Sequence, residues 1–212
     1  MDMRPACIAL GYFCGSFLTA DLVVRARTGK PRWDSFGNPG TANVMSRLGT
    51  RCGIIVLCGD ILKTVLACIC GFYLLPGPER LGVLYTGFGA VIGHCWPVWK
   101  GFHGGKGVAC VGVAAVLFSP AIGLGALIGG GAAVLVSGYL AIGSAVIATL
   151  LPSLAFLLER GMQPTAVLAA AGAVLLLRHR KNFVRIANGE EQRKKFFKQP
   201  LSSLKNKCDR KL

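Results

Sequence analysis

Apolar residues in this chain come in long unbroken runs, without the stripes of a surface helix or the alternation of a half-buried strand. The runs are Ala6–Val24, Gly53–Leu75, Leu81–Val98, Val108–Phe118, Ala121–Val136, Tyr139–Leu158 and Thr165–Leu177. Apolar runs of about 17–25 residues cross a bilayer as helices. Hydrocarbon offers the backbone no hydrogen-bond partners, so only helices or closed barrels span it. A barrel would need alternating segments of about ten residues, and the chain has none. The pattern predicts an all-α polytopic membrane protein with one helical domain.

Some runs are short, and 108–136 can be read as one kinked helix with Ser119-Pro120 as its break. Charge decides between six and seven spans. With seven, the segments 25–51, 99–107, 137–138 and 178–212 share one side and carry 20 of the 24 lysines and arginines. Arg4, Arg80 and Arg160 fall on the other side, and Lys63 lies within a span. Six spans would put the basic tail outside. Basic loops stay in the cytoplasm, so the expectation is seven transmembrane helices, with the N-terminus outside and the C-terminus cytoplasmic. Asp2 nearly cancels Arg4, and the basic cluster follows the first run. An uncleaved first helix is therefore expected. The predicted organisation is a membrane domain over residues 1–189 and a basic cytoplasmic tail over 190–212.

Composition agrees: 53% of the 212 residues are hydrophobic, 16% are charged, and the mean hydropathy is +0.55. The net charge of +15 does not point to nucleic acid, because the basic residues flank apolar runs. That placement suits topology and anionic lipid, which makes the bilayer itself a partner. The nine cysteines show no paired metal-ligand spacing and read as small buried hydrophobes. No metal site or cofactor is implied, and Cys110 stands out only for lying beside a motif. Gly11-x-x-x-Gly15 and Gly125-x-x-x-Gly129 predict close helix packing, as does Gly129-Gly130-Gly131.

Seven-span parity puts three polar stretches on one face. The first is Asp34-Ser35-Phe36-Gly37-Asn38-Pro39-Gly40-Thr41-Ala42-Asn43, followed by Arg47. It is turn-forming, yet it sets two Asn and an Arg where the chain returns to the membrane. The second runs from Gly93-His94-Cys95-Trp96-Pro97 to Lys100-Gly101-Phe102-His103-Gly104-Gly105-Lys106-Gly107. Glycines let backbone N–H groups converge on an anion, and Lys106 adds charge. A helix starting near Gly107 would add its N-terminal field. The third, Arg178 to Glu191, holds His179, Asn182, Arg185 and Glu191. Basic flanking of a last span accounts for its arginines and lysines, but not for the His, Asn and Glu. Asp60 and Lys63 lie one turn apart within the second run, where ionisable groups pair or line a polar cavity.

These stretches resemble the motifs of the bacterial acyl-phosphate-dependent glycerol-3-phosphate acyltransferases, the PlsY family. The similarity covers nearly the whole chain. It is carried by Gly93-His94-x-x-Pro97 with Gly104-Gly105-Lys106-Gly107-Val108-Ala109, by Arg178-His179-x-x-Asn182-x-x-Arg185 with Gly189-x-Glu191, and by Leu57-x-Gly59-Asp60-x-x-Lys63. The resemblance implies a seven-helix enzyme of the bacterial inner membrane with its active site at the cytoplasmic face. Its substrates would be acyl phosphate and sn-glycerol 3-phosphate, and its products 1-acyl-glycerol 3-phosphate and phosphate, for phospholipid synthesis. A soluble acyl-phosphate-producing enzyme would be its natural partner. The sequence departs from the family's usual pattern at Phe36, where a serine is common, with Ser35 adjacent. It also departs at Ser46, where the arginine usually falls, with Arg47 next. Cys110 and Ala141 stand where a threonine and a serine are usual. The His-x-x-x-x-Asp motif of other glycerophosphate acyltransferases is absent after His94, His103 and His179.

On this reading His94, Lys106 and Asn182 are the catalytic candidates. Ser35, Asn38, Asn43, Arg47, Gly104, Gly105, Gly107, His179, Arg185 and Glu191 are the candidates for binding substrate and phosphate. Phosphate is a good leaving group, so direct attack by the acceptor hydroxyl is expected, its proton going to His94 or to a phosphate oxygen. Two rival readings are a transporter for a small phosphate compound and a weakly active acyltransferase paralogue. The first would need polar residues reaching both faces, and the second is motivated by Phe36.

Overall fold

The computed structural model describes residues 2–29, 38–77, 79–158 and 160–193. Among these the structure is helical, with no strand. The helices are α1 (Arg4–Gly15), α2 (Thr19–Thr28), α3 (Thr41–Leu48), α4 (Thr50–Leu74), α5 (Leu81–Cys95), α6 (Val108–Phe118), α7 (Pro120–Ser137), α8 (Leu140–Leu157) and α9 (Met162–Ala187). The stretches Arg4–Thr28, Thr50–Leu74, Leu81–Lys100, Pro120–Ser137 and Leu140–Leu157 are long and apolar enough to cross a membrane. Large apolar side chains stay exposed along the bundle, Val136 at 90% and Ile128 at 71%, as lipid-facing surfaces require.

The first apolar run is not one continuous helix. It breaks between Gly15 and Thr19, with Leu18 extended. The broken backbone finds partners elsewhere in the fold: Trp99 Nε1 donates to the Ser16 carbonyl (2.9 Å) and Lys63 Nζ to that of Phe17 (2.8 Å). At Ser119-Pro120 the chain reverses rather than kinks. Gly112 lies against Leu127 and Gly123 against Val116, so α6 and α7 form a hairpin.

Helix α5 is the hub, touching α1, α4, α6 and α9. Gly11 and Gly15 of α1 face Thr86 and Ala90, while Gly89 and Gly93 of α5 face Ile8 and Tyr12. A side chain at any of these four positions would collide with the partner's backbone, so each helix contributes one small-x-x-x-small stripe to the seam. The triple glycine of α7 packs against Ile147 and Leu150 of α8, although Gly131 faces open space. The last helix continues ten residues past the predicted Leu177, so the third motif is helical as far as Ala187. With 11 residues, α6 is about 17 Å long at 1.5 Å per residue. That is little over half of a hydrocarbon core about 30 Å thick, and Gly104, Gly105 and Gly107 of the loop before it are buried.

Candidate active site

Cys95 ends α5, and residues 96–107 return the chain to α6 through a short 3-10 turn, Val98–Lys100. Gly101 (φ 56°), Phe102 (φ 62°) and Gly107 (φ 79°) take left-handed backbone conformations, which glycine adopts freely and phenylalanine only under constraint. Gly104 and Gly105 are buried. Arg178 grips both, with Nη2 donating to the Gly104 carbonyl (2.7 Å) and Nε to that of Gly105 (3.0 Å). Its guanidinium also lies over the Trp96 ring, 5.4 Å from the centroid. The Gly105 N–H turns inward to the His94 carbonyl (2.9 Å). That N–H is engaged within the fold, so any anion contact from the loop backbone would fall to its neighbours. A Cβ on Gly105 would run into His94 Nε2 and the Pro39 carbonyl. The first and second motifs therefore touch here.

Lys106 projects from the loop to α9. Its Nζ donates to Asn182 Oδ1 (2.6 Å), Asn182 Nδ2 donates to Glu191 Oε1 (2.6 Å), and Arg185 Nε donates to Glu191 Oε2 (2.6 Å). The second and third motifs are thus joined by one chain of charge-assisted hydrogen bonds. Burial pulls the Lys106 ammonium down to about 8. Glu191 opposes that shift, and Arg185 and Arg178 add to it. Burial pushes the Glu191 carboxyl up, but hydrogen bonds from Arg185 and Asn182 and the nearby cations outweigh it and hold the group below the usual range.

Beneath the loop lies a second polar group. Asp60, Lys63 and His94 are 3%, 8% and 4% exposed. Lys63 Nζ lies 2.8 Å from Asp60 Oδ1 and 2.9 Å from His94 Nδ1, in addition to its bond to Phe17. Asp60 Oδ1 is 3.6 Å from His94 Nδ1. The pairing that i,i+3 spacing allowed is formed, and it reaches His94.

The remaining predicted residues frame this end of the bundle. Gly107 caps α6. His179 is buried, with Nδ1 2.9 Å from the Leu175 carbonyl and Nε2 3.2 Å from Ser144 Oγ. Ser144 lies three residues beyond Ala141, the position where a serine was expected. Asn43 Nδ2 donates to the Asn38 carbonyl (3.0 Å), which shapes the turn into α3. Helix α3 begins at Thr41 and carries Arg47 exposed near its end. Ser35 and Phe36 lie outside the described residues. Arg178, Asp60 and Lys63 are functional residues beyond those the sequence singles out. Their signals were an arginine at the head of the third motif and two ionisable residues inside an apolar run.

The family model described as glycerol-3-phosphate acyltransferase matches residues 5–189. The glycerol-3-phosphate acyltransferase of Rubrobacter xylanophilus is 36% identical over 187 residues, 88% of this chain and 92% of that protein. The glycerol-3-phosphate acyltransferase of Hydrogenovibrio crunogenus is 38% identical over 195 residues, covering 90% and 91%. Among solved structures, PlsY, described as an integral membrane glycerol 3-phosphate acyltransferase, superposes in its glycerol 3-phosphate form with a TM-score of 0.81. The identity is 26%, over 91% of this chain and 96% of that one. Its lysophosphatidic acid form gives a TM-score of 0.80.

Proposed function

This chain belongs to the glycerol-3-phosphate acyltransferase family, and we propose that it moves an acyl group from acyl phosphate to the 1-hydroxyl of sn-glycerol 3-phosphate. The observation that carries the reading is the hydrogen-bonded chain Lys106–Asn182–Glu191–Arg185 beside a glycine loop gripped by Arg178. Arg178 and Lys106 meet at the buried turn, Arg185 lies at the far end of the hydrogen-bonded chain, and among the described residues Glu191 is the carboxylate bonded into it. Such a site suits substrates that each carry a phosphate, because preorganised positive charge stabilises both them and the leaving group. The acceptor oxygen attacks the acyl carbon, the bond from carbon to the phosphate oxygen breaks, and a phosphate oxygen takes the hydroxyl proton. In this reading Lys106 and Arg185 bind the phosphates, Asn182 and Glu191 hold those cations apart, and Gly104, Gly105 and Gly107 let the loop pass close to the substrate. Asn38, Asn43, Arg47 and Ser35 are assigned to binding the acceptor, and His179, bonded to Ser144, holds α9 to α8.

We place this site at the cytoplasmic face of a bacterial inner membrane, in a seven-span chain with its N-terminus outside. The basic asymmetry supports this, as does the direction of the helices, which alternates through α1, α4, α5, α6, α7, α8 and α9. Purified protein given radiolabelled glycerol 3-phosphate tests the reaction, with acyl phosphate, acyl-CoA and acyl carrier protein as competing donors. Product with acyl phosphate alone is expected. Product with a thioester and none with acyl phosphate would overturn the donor assignment.

A further inference from the structure

Within the site read above as an acyltransferase centre, we propose that Lys63 is a positioning residue that fixes the tautomer of His94. His94 then meets the bound phosphorylated substrate as a hydrogen-bond donor through Nε2. An ammonium group has three N–H donors and no acceptor. Two of those of Lys63 are directed to the Phe17 carbonyl at 2.8 Å and to His94 Nδ1 at 2.9 Å, while Asp60 Oδ1, 2.8 Å from the same nitrogen, is its ion-pair partner. Because Lys63 brings only protons, Nδ1 must accept, and the single proton of a neutral imidazole is left on Nε2. That nitrogen packs against Gly105, where an added Cβ would collide with it, at the buried turn that carries Lys106.

Asp60 makes the choice a competition. Its Oδ1 stands 3.6 Å from the same Nδ1. Without Lys63, an unpaired carboxylate in a buried setting would draw a proton onto Nδ1 and leave Nε2 with a bare lone pair. The broken first helix decides the outcome, because its free Phe17 carbonyl takes one Lys63 proton and holds the ammonium between α1, α4 and α5. Acyl transfer builds negative charge on oxygen, which a fixed donor stabilises and a lone pair opposes. His94 therefore acts as an electrostatic donor, and the hydroxyl proton goes to phosphate.

The test is solid-state NMR of the full-length chain, labelled with 15N-histidine, in lipid bilayers near neutral pH. His94→Gln identifies the His94 signals. The wild-type ring is expected to carry its proton on Nε2, with Nδ1 bare. In Lys63→Met the proton moves to Nδ1, and kcat falls by about tenfold or more with a smaller change in KM for glycerol 3-phosphate. The double variant Asp60→Asn, Lys63→Met removes the competing carboxylate and returns the proton to Nε2. A wild-type His94 protonated on Nδ1 overturns the proposal without any variant having to fold. A folded Lys63→Met protein with an unchanged tautomer overturns it too. If no acyl donor supports turnover while the tautomer moves as described, the functional reading fails and the positioning role stands.

Discussion

Replacing Arg178 separates loop geometry from charge. The guanidinium makes two hydrogen bonds to adjacent carbonyls, at 2.7 and 3.0 Å, and lies over Trp96. A hydrogen bond involving a charged group contributes roughly 1.5–3 kcal/mol. Arg178 is half-buried, so the low end applies and the pair contributes about 3 kcal/mol. A lysine presents a point charge without the planar fork and keeps one of the two bonds. Arg178→Lys should therefore lose about 1.5 kcal/mol, roughly tenfold in kcat/KM, and Arg178→Gln about 3 kcal/mol, roughly a hundredfold. The assay is initial-rate acyl transfer in detergent or nanodiscs, with thermal unfolding as a control for global stability. Nitrogen–carbonyl geometry, not charge, is the claim, so Arg178→Lys must sit clearly between wild type and Arg178→Gln. Equal activity of Arg178→Lys and wild type would refute it, as would a folded Arg178→Gln within about threefold of wild type.

Lys106→Ala should remain folded, because the side chain buries little apolar area, and should lose about ten- to a hundredfold in kcat/KM; a well-folded variant with wild-type constants would remove Lys106 from the site. The charged form of Lys106 is present below its pKa of about 8, so kcat/KM for glycerol 3-phosphate should fall as pH rises through that value. Glu191 holds that pKa up, so Glu191→Gln should move the basic limb to lower pH, and a limb that stays in place would assign it to another group. Cys208 should react with an impermeant thiol reagent only from the cytoplasmic side, and labelling in intact cells would reverse the proposed topology.

The helical architecture was legible because apolar run length reports on bilayer crossing directly. The polar residues clustered at the ends of apolar runs marked Lys106 and Asn182, and these two side chains meet at 2.6 Å. Other features depend on partners far along the chain. The break at residues 16–18 lies in a run apolar enough for one helix, and its carbonyls are satisfied by Lys63 and Trp99, 46 and 83 residues away. Arg178 acts on carbonyls, which every residue possesses, so no side-chain pattern marks its target. The inward turn of the Gly105 N–H was hidden for a related reason. Glycine announces conformational freedom, not the direction in which its amide points. Gly89 and Gly93 went unread as a stripe because their meaning depends on Gly11 and Gly15 of another helix.

The helix break and the active site form one energetic unit. A carbonyl freed inside an apolar bundle is costly unless it is hydrogen-bonded. Lys63, which satisfies the Phe17 carbonyl, also holds His94. Trp99, which satisfies the Ser16 carbonyl, belongs to the segment leading into the glycine loop and stacks on Phe13 with centroids 6.2 Å apart. The neighbouring Lys100 pairs with Asp21 of α2, so both sides of the break are fastened to the loop. Trp99→Phe keeps an aromatic ring, though a smaller one, and removes the N–H. Because Trp99 is 54% exposed, the lost bond should cost about 1 kcal/mol, the lower end for an unsatisfied group. With either cap gone the break can relax, and the other cap then holds less. The double variant Trp99→Phe, Lys63→Met should therefore be less destabilised than the sum of the singles, by roughly 0.5–1 kcal/mol in unfolding free energy. Its turnover should likewise lie above the product of the single effects. Singles that add within about 0.3 kcal/mol, the range for independent sites, would show that the break and the loop are stabilised separately.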